Sequence, residues 1–211
     1  AEKETIYDSA VLSVGNNQTG YVMKMLKLAD EKALLLECIG KSGRGRIVGK
    51  FLNSQGEILR ELVLGHCMLF LGASTQLRSF DLVPLPDKQI YMIALQKSPS
   101  KYSEIRSWIF SQDDQTIVQS EKFEFWESDE IEPQPRVKLL QTGELLITWI
   151  KGDSLVGTIQ NLDGKPRGFP FLISKNHVEN KFRDIIEFGN STFFLLKHVF
   201  RSTHEILQWR S

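Results

Sequence analysis

Four segments of this 211-residue chain follow one plan, an apolar strand, a polar turn and a second strand. They are VGKFLNSQGEILRELVL, SWIFSQDDQTIVQSEKFEF, GTIQNLDGKPRGFPFLIS and, reading from the C-terminus on into the N-terminus, LQWRS followed by AEKETIYDSAVLSV. Their turns centre on Gly56, Asp114, Gly164 and Lys3. The recurrence is roughly 50 to 58 residues, the range of solenoids and propellers. Four units use the chain once, and the last lacks a strand that the N-terminus can supply.

Helical spacing is absent, and short apolar or alternating runs are broken by Gly, Asn, Asp and Pro about every ten residues, the all-β pattern. Strands are expected at 22–28, 33–39, 47–52 and 58–64, at 77–85, 90–96, 104–110 and 116–125, and at 136–141, 145–150, 156–161 and 168–173. The last unit has 182–188, 192–199 and 205–209, with Thr5 to Val14 as its fourth strand. The fold expected is a four-bladed β-propeller, each blade a four-stranded antiparallel sheet, closed by the N-terminal strand so that no edge is left unpaired. It forms one domain over 1–211, with blades at about 20–65, 76–126, 134–174 and 181–211 plus 4–14. The alternative is four blades of a larger ring completed by further sequence. Phe51, Ile109, Ile159 and Trp209 fall at one equivalent position and are expected in the core.

An apolar share of 41%, with thirteen Phe and four Trp, supplies such a core. Acidic and basic residues balance at 26 each, leaving no net field to recruit nucleic acid. No apolar run approaches the roughly 18 residues of a membrane span, so membrane insertion is not expected. The N-terminus has no signal-peptide pattern, and its small first residue matches what cleavage of one leaves. Cys38 and Cys67 are too few for a disulfide scaffold and lack metal-ligand spacing. Asn17 and Asn190 head Asn-X-Thr triplets at turns and are glycosylation candidates.

The third unit, PRVKLLQTGELLITWIKGDSLVGTIQNLDGKPRGFPFLIS, resembles a degenerate propeller repeat of large secreted or surface proteins. The marks are its turn at Gly143, Ile147 to Trp149, Asp163-Gly164 and the closing Phe171 to Ile173. The other units keep the apolar spacing but lose the Asp-Gly turn or the Trp, with Cys38, Ala94 and His198 near the Trp149 position. The resemblance implies an extracellular or cell-surface scaffold and carries no catalytic residues. Neither a double-Gly kelch signature nor a Trp-Asp ending is present.

Chemistry is expected on the loops of one face. Lys41, Arg44 and Arg46 in KSGRGR and the segment Cys67, Met68, Leu69, Phe70 and Leu71 form the expected protein-binding surface. The acidic loop ESDEIE lacks calcium-loop spacing, the basic loop is no Walker loop, and the four His residues pair with no carboxylate or Cys. The chain is therefore expected to be a non-enzymatic structural or adhesive module, without cofactor, that contacts a protein partner or itself. The alternatives are a lectin that stacks sugars on Trp126 and Trp108, and a glycan-cleaving enzyme using Asp81 and Asp184.

Overall fold

The computed structural model describes residues 19–28, 31–41, 44–67, 80–97, 103–112, 117–126, 135–175, 181–187, 192–199 and 203–210. Side chains are described over 25–28, 31–37, 39, 45–65, 80–95, 105–112 and 135–175. Among these residues the chain is all-β, with antiparallel strands and no helix.

Two compact units divide the chain, Ala1–Glu127 and Ser128–Ser211. In the first unit, β1 (Thr19–Lys27), β2 (Ala33–Lys41), β3 (Arg44–Leu52) and β4 (Ile58–Cys67) form the first sheet, hydrogen-bonded in chain order. The second sheet is β5 (Phe80–Leu85), β6 (Gln89–Lys97), β7 (Ser103–Ser111) and β8 (Ile117–Trp126), also in chain order. Pro84 is tolerated in β5 because that strand ends its sheet, bonded among the described strands only to β6. The second unit holds the third sheet, β9 (Arg136–Leu139), β10 (Leu145–Lys151), β11 (Ser154–Gln160) and β12 (Phe171–Ser174), and a fourth of β13 (Lys181–Glu187), β14 (Thr192–Val199) and β15 (Thr203–Arg210). Order along each sheet follows from tight turns: Leu28–Lys32, Asn53–Glu57, Leu140–Glu144 and Asn161–Lys165 are each closed by a backbone bond from the first residue's N–H to the last residue's carbonyl. Gly56, Gly143 and Gly164 hold the left-handed position of three of these turns, with φ of 81°, 80° and 80°, a conformation that costs glycine nothing.

The pairing reveals a repeat finer than the sequence pattern. In the first sheet the β3–β4 register slips between Ile47 and Val48, leaving Leu64 as the extra residue. In the second it slips between Ile105 and Arg106, leaving Phe123, and in the third between Leu155 and Val156, leaving Ile173. These are β-bulges, which bend a strand and re-aim a side chain. A second bulge recurs between Phe51 and Leu52 and between Ile109 and Phe110. Two residues after the one where each first slip begins, the third strand carries a small residue, Gly49, Ser107 and Gly157. A Cβ on Gly49 would come within 2.8 Å of Leu64 Cδ1, and one on Gly157 within 2.8 Å of Ile173 Cδ1. The outer strand thus folds an aliphatic chain into the space a glycine leaves. By this register the residues level with Trp149 are Glu37, Ala94 and Leu196, which corrects Cys38 and His198.

The core of the first unit lies between its two sheets. Leu26, Leu34, Leu36, Ile47, Phe51 and Leu64 of the first sheet pack on Phe80, Leu82, Ile90, Met92, Ala94, Trp108 and Phe110 of the second. The remaining face of the second sheet is buried too, at Asp81, Tyr91, Ile93, Leu95, Ile105, Ser107 and Ile109. β6 and β10 are buried at every position over 90–95 and 145–150, which is why IYMIAL and, Thr148 apart, LLITWI read as apolar runs rather than as alternating strands. Each Leu or Ile fully buried there contributes about 1.5–3 kcal/mol. Phe51 and Ile109 are buried as their repeat position requires, whereas Ile159 is half-buried. In contrast, the opposite face of the first sheet, at Met25, Ala33, Leu35 and Ile39, is only half-buried, and the Glu37–Lys50 ion pair spans it at 2.7 Å.

Thr148 is the polar exception in β10. It is buried, and its Oγ1 has no hydrogen-bond partner, while Leu36 and Ile93 occupy the matching level of the first two sheets. A buried hydroxyl left unpaired carries its full desolvation cost. Thr148→Val, which keeps the branched shape, is therefore expected to stabilise the protein by about 1–2 kcal/mol, read as a higher urea midpoint at unchanged m-value.

Candidate interaction surface

The expected basic loop is mostly strand. Lys41 ends β2 opposite Arg44 of β3, and Arg46 pairs with Ile39 on one side and His66 on the other. Residues two apart share a face, so the positions of Lys41, Arg44, Arg46 and His66 fall at one end of one face of the first sheet. Arg46 is exposed. Cys67 closes β4, which runs three residues past the expected Leu64 and pairs with Gly45. Met68, Leu69, Phe70, Leu71, Asn17, Asn190, the acidic loop at 127–132, Lys3, Asp114 and the expected strand at 5–14 lie outside the described residues.

The rest of β4 coincides with the strand expected at 58–64, but its exposure was not expected. Among the described strands it is bonded only to β3, and it exposes Ile58, Leu59 and Val63 by 57, 54 and 58%. The bulge at Leu59 is the cause on the sequence side: one extra residue breaks the alternation, so Ile58 and Leu59 both reach water. Arg60 and Glu61, both exposed, separate them from Val63. An outer strand with free backbone groups and exposed aliphatic side chains is a template for a second chain. The only signal in the sequence was ILRELVL itself, which reads equally well as a buried strand.

The register also bears on the two cysteines. Cys38 pairs with Ile47, which pairs with Gly65, so β3 separates Cys38 from Cys67. Two strand spacings are roughly 9.5 Å, beyond the ~7 Å Cα separation a disulfide can span. Cys38 and Cys67 are expected not to bond to each other, and thiol titration of the unfolded, unreduced monomer should find both sulfurs free of a mutual bridge.

For the alternatives, Trp108 is buried in the core and cannot stack a sugar from solvent. Asp81 and Asp184 both lie on first strands, but Asp81 pairs with Ile93 and Asp184 with Leu196. By the repeat register Asp184 matches Phe80, so Asp81 and Asp184 stand at non-equivalent positions along their strands. Among the described residues no three His, Cys, Asp or Glu side chains come together as a metal site, and no helix is long and apolar enough to cross a membrane.

No protein-family model matches the chain, and no curated protein matches it. Among solved structures, the chain is similar to a protein of unknown function from Bacteroides caccae, with 13% identity, TM-score 0.42, and 89% of this chain and 66% of that one covered. It is similar to a chain from a study of two prolyl endopeptidases, at 14% identity and TM-score 0.39 over 99% of this chain and 37% of that one. It is also similar to the GH43 endo-arabinanase of Bacillus licheniformis, at 9% identity and TM-score 0.42 over 99% of this chain and 94% of that one. The chain thus spans less than two thirds of the first two.

Proposed function

We propose that the chain is a four-bladed β-propeller acting as a non-enzymatic binding module outside the cell, working through contacts with another protein. Three observations support the ring. The register slip recurs at one level in three sheets. The first and second sheets meet through non-equivalent faces, the Leu36 face of one on the Met92 face of the other; such head-to-tail packing closes into a ring when the rotation allows. The fourth sheet has three described strands where the others have four. In the proposed ring, residues 5–14 complete the fourth sheet beside β15.

The observation that carries the binding function is the exposed apolar edge at Ile58, Leu59 and Val63 of β4, the strand whose other end pairs His66 with Arg46. Such a patch marks a protein contact, and the cations select a partner with an acidic rim. The test is chemical cross-linking in the native secretion, followed by mass spectrometry. Cross-links from Lys41 or Lys50 to a second polypeptide are expected, and Leu59→Lys with Val63→Lys should abolish them. A chain that stays uncross-linked, or cross-links undiminished by the double substitution, contradicts the reading. The location is tested by intact mass before and after glycosidase: glycan on Asn17 or Asn190 is expected, and an unmodified mass counts against a secretory route.

A further inference from the structure

The third sheet carries a cavity of about 350 Å³, lined by Glu144, Ile159, Arg167, Gly168, Phe169 and Phe171. It stands on the second unit alone and is independent of ring closure and of the β4 edge. Its floor is apolar: Ile159 and Phe171 pack on the buried cluster of Leu140, Leu146, Ile150 and Leu155. Its rim is polar and held in place. Thr142 Oγ1 donates to one Glu144 oxygen at 2.8 Å, and the Arg167 guanidinium donates to the other. The Arg167 backbone N–H is fixed in turn on the Ile159 carbonyl at 2.9 Å.

The loop that presents this rim is itself ordered by short-range bonds. Gly164 N–H donates to the Asn161 carbonyl, and Lys165 N–H to the Asp163 carboxylate. The Lys165 backbone and side-chain bonds hold that carboxyl below its ordinary pKa. Beyond this loop Phe169 stands 96% exposed, although a buried Phe would contribute about 1.5–3 kcal/mol. An aromatic ring kept in water beside a preformed polar rim and an apolar floor is the make-up of a small-ligand site.

We propose that this cavity binds one pyranose ring of a neutral oligosaccharide. The apolar C–H face of the sugar lies on Phe169. Vicinal hydroxyls accept from the planar donor fork of Arg167 and donate to the lone pairs that Glu144 keeps after its two bonds. Charge decides against an anion, because Glu144 already neutralises Arg167. A proline-rich or aromatic peptide would use the ring but leave the ion pair desolvated without new partners, which is costly.

The test is titration of the full chain with cellohexaose, mannohexaose and xylohexaose, followed by Phe169 ring resonances and by calorimetry. At least one sugar is expected to bind saturably, and Phe169→Ala and Arg167→Lys should each weaken it about tenfold, with Tm unchanged in the former because the ring is exposed. No binding of any of the three up to about 10 mM overturns the proposal. So does binding that neither substitution affects, and so does a response of the ring to a Pro-Phe repeat peptide with none to the sugars.

Discussion

Gly49→Val is expected to destabilise the protein by about 3 kcal/mol, at the upper end of core overpacking. Already a Cβ at this position meets Leu64 Cδ1 at 2.8 Å and Leu34 Cδ1 at 3.3 Å. Both leucines are buried between the first two sheets, so neither can swing into solvent, and the two further methyl groups of valine have nowhere to go. Leu64 is the bulge residue, and removing its bulk should restore space. Leu64→Ala combined with Gly49→Val is therefore expected to show a favourable coupling of about 1 kcal/mol or more in a double-mutant cycle, since residues in contact couple on that scale. Additive costs would mean that the bulge does not seat Leu64 over Gly49. Gly157→Ala should be milder, at about 1 kcal/mol or less, because the chain it displaces, Ile173, is half-exposed and can turn outward. Urea unfolding of Gly49→Val, Leu64→Ala, their combination and Gly157→Ala measures all of this.

Trp149→Ala should be the most damaging single truncation in the second unit, costing about 3–5 kcal/mol. The ring is among the largest fully buried side chains, and its loss leaves a cavity inside a strand buried on both faces. Its indole Nε1, however, is buried with no hydrogen-bond partner. Trp149→Phe removes that orphaned donor together with part of the ring, so the relief of about 1–3 kcal/mol offsets much of the lost packing. The net change is expected to stay within about 1 kcal/mol. A phenylalanine variant as unstable as the alanine one would show that the indole nitrogen is satisfied and the ring needed whole.

The strands were legible because each signal that sets them is local. β10 and β14 run where the apolar residues run, and turns at Gly56, Gly143 and Gly164 punctuate them where only glycine is comfortable. Bulges were not legible, because one extra residue in an outer strand changes pairing without leaving a distinctive residue type. That is why Cys38 stood in for Glu37 at the level of Trp149, and why nothing in the strand expected at 58–64 marked Ile58 and Leu59 as both reaching water. The cavity was hidden for a related reason. The run GFPFLI reads as one strand, yet Pro170 has no N–H to give a ladder, so β12 begins only at Phe171 and Phe169 is left outside it.

The central claim is that residues 5–14 complete the fourth sheet beside β15. Residue-resolved amide hydrogen exchange over Thr203–Arg210 tests it most directly. In a strand with one neighbour, alternate N–H groups point away from the partner and exchange freely. β14 is the neighbour described for β15, so the account predicts slow exchange at every interior amide of β15, including those turned away from β14. It further predicts that deleting residues 1–18 makes alternate amides fast. Alternating fast and slow amides in the intact chain would contradict the closed ring.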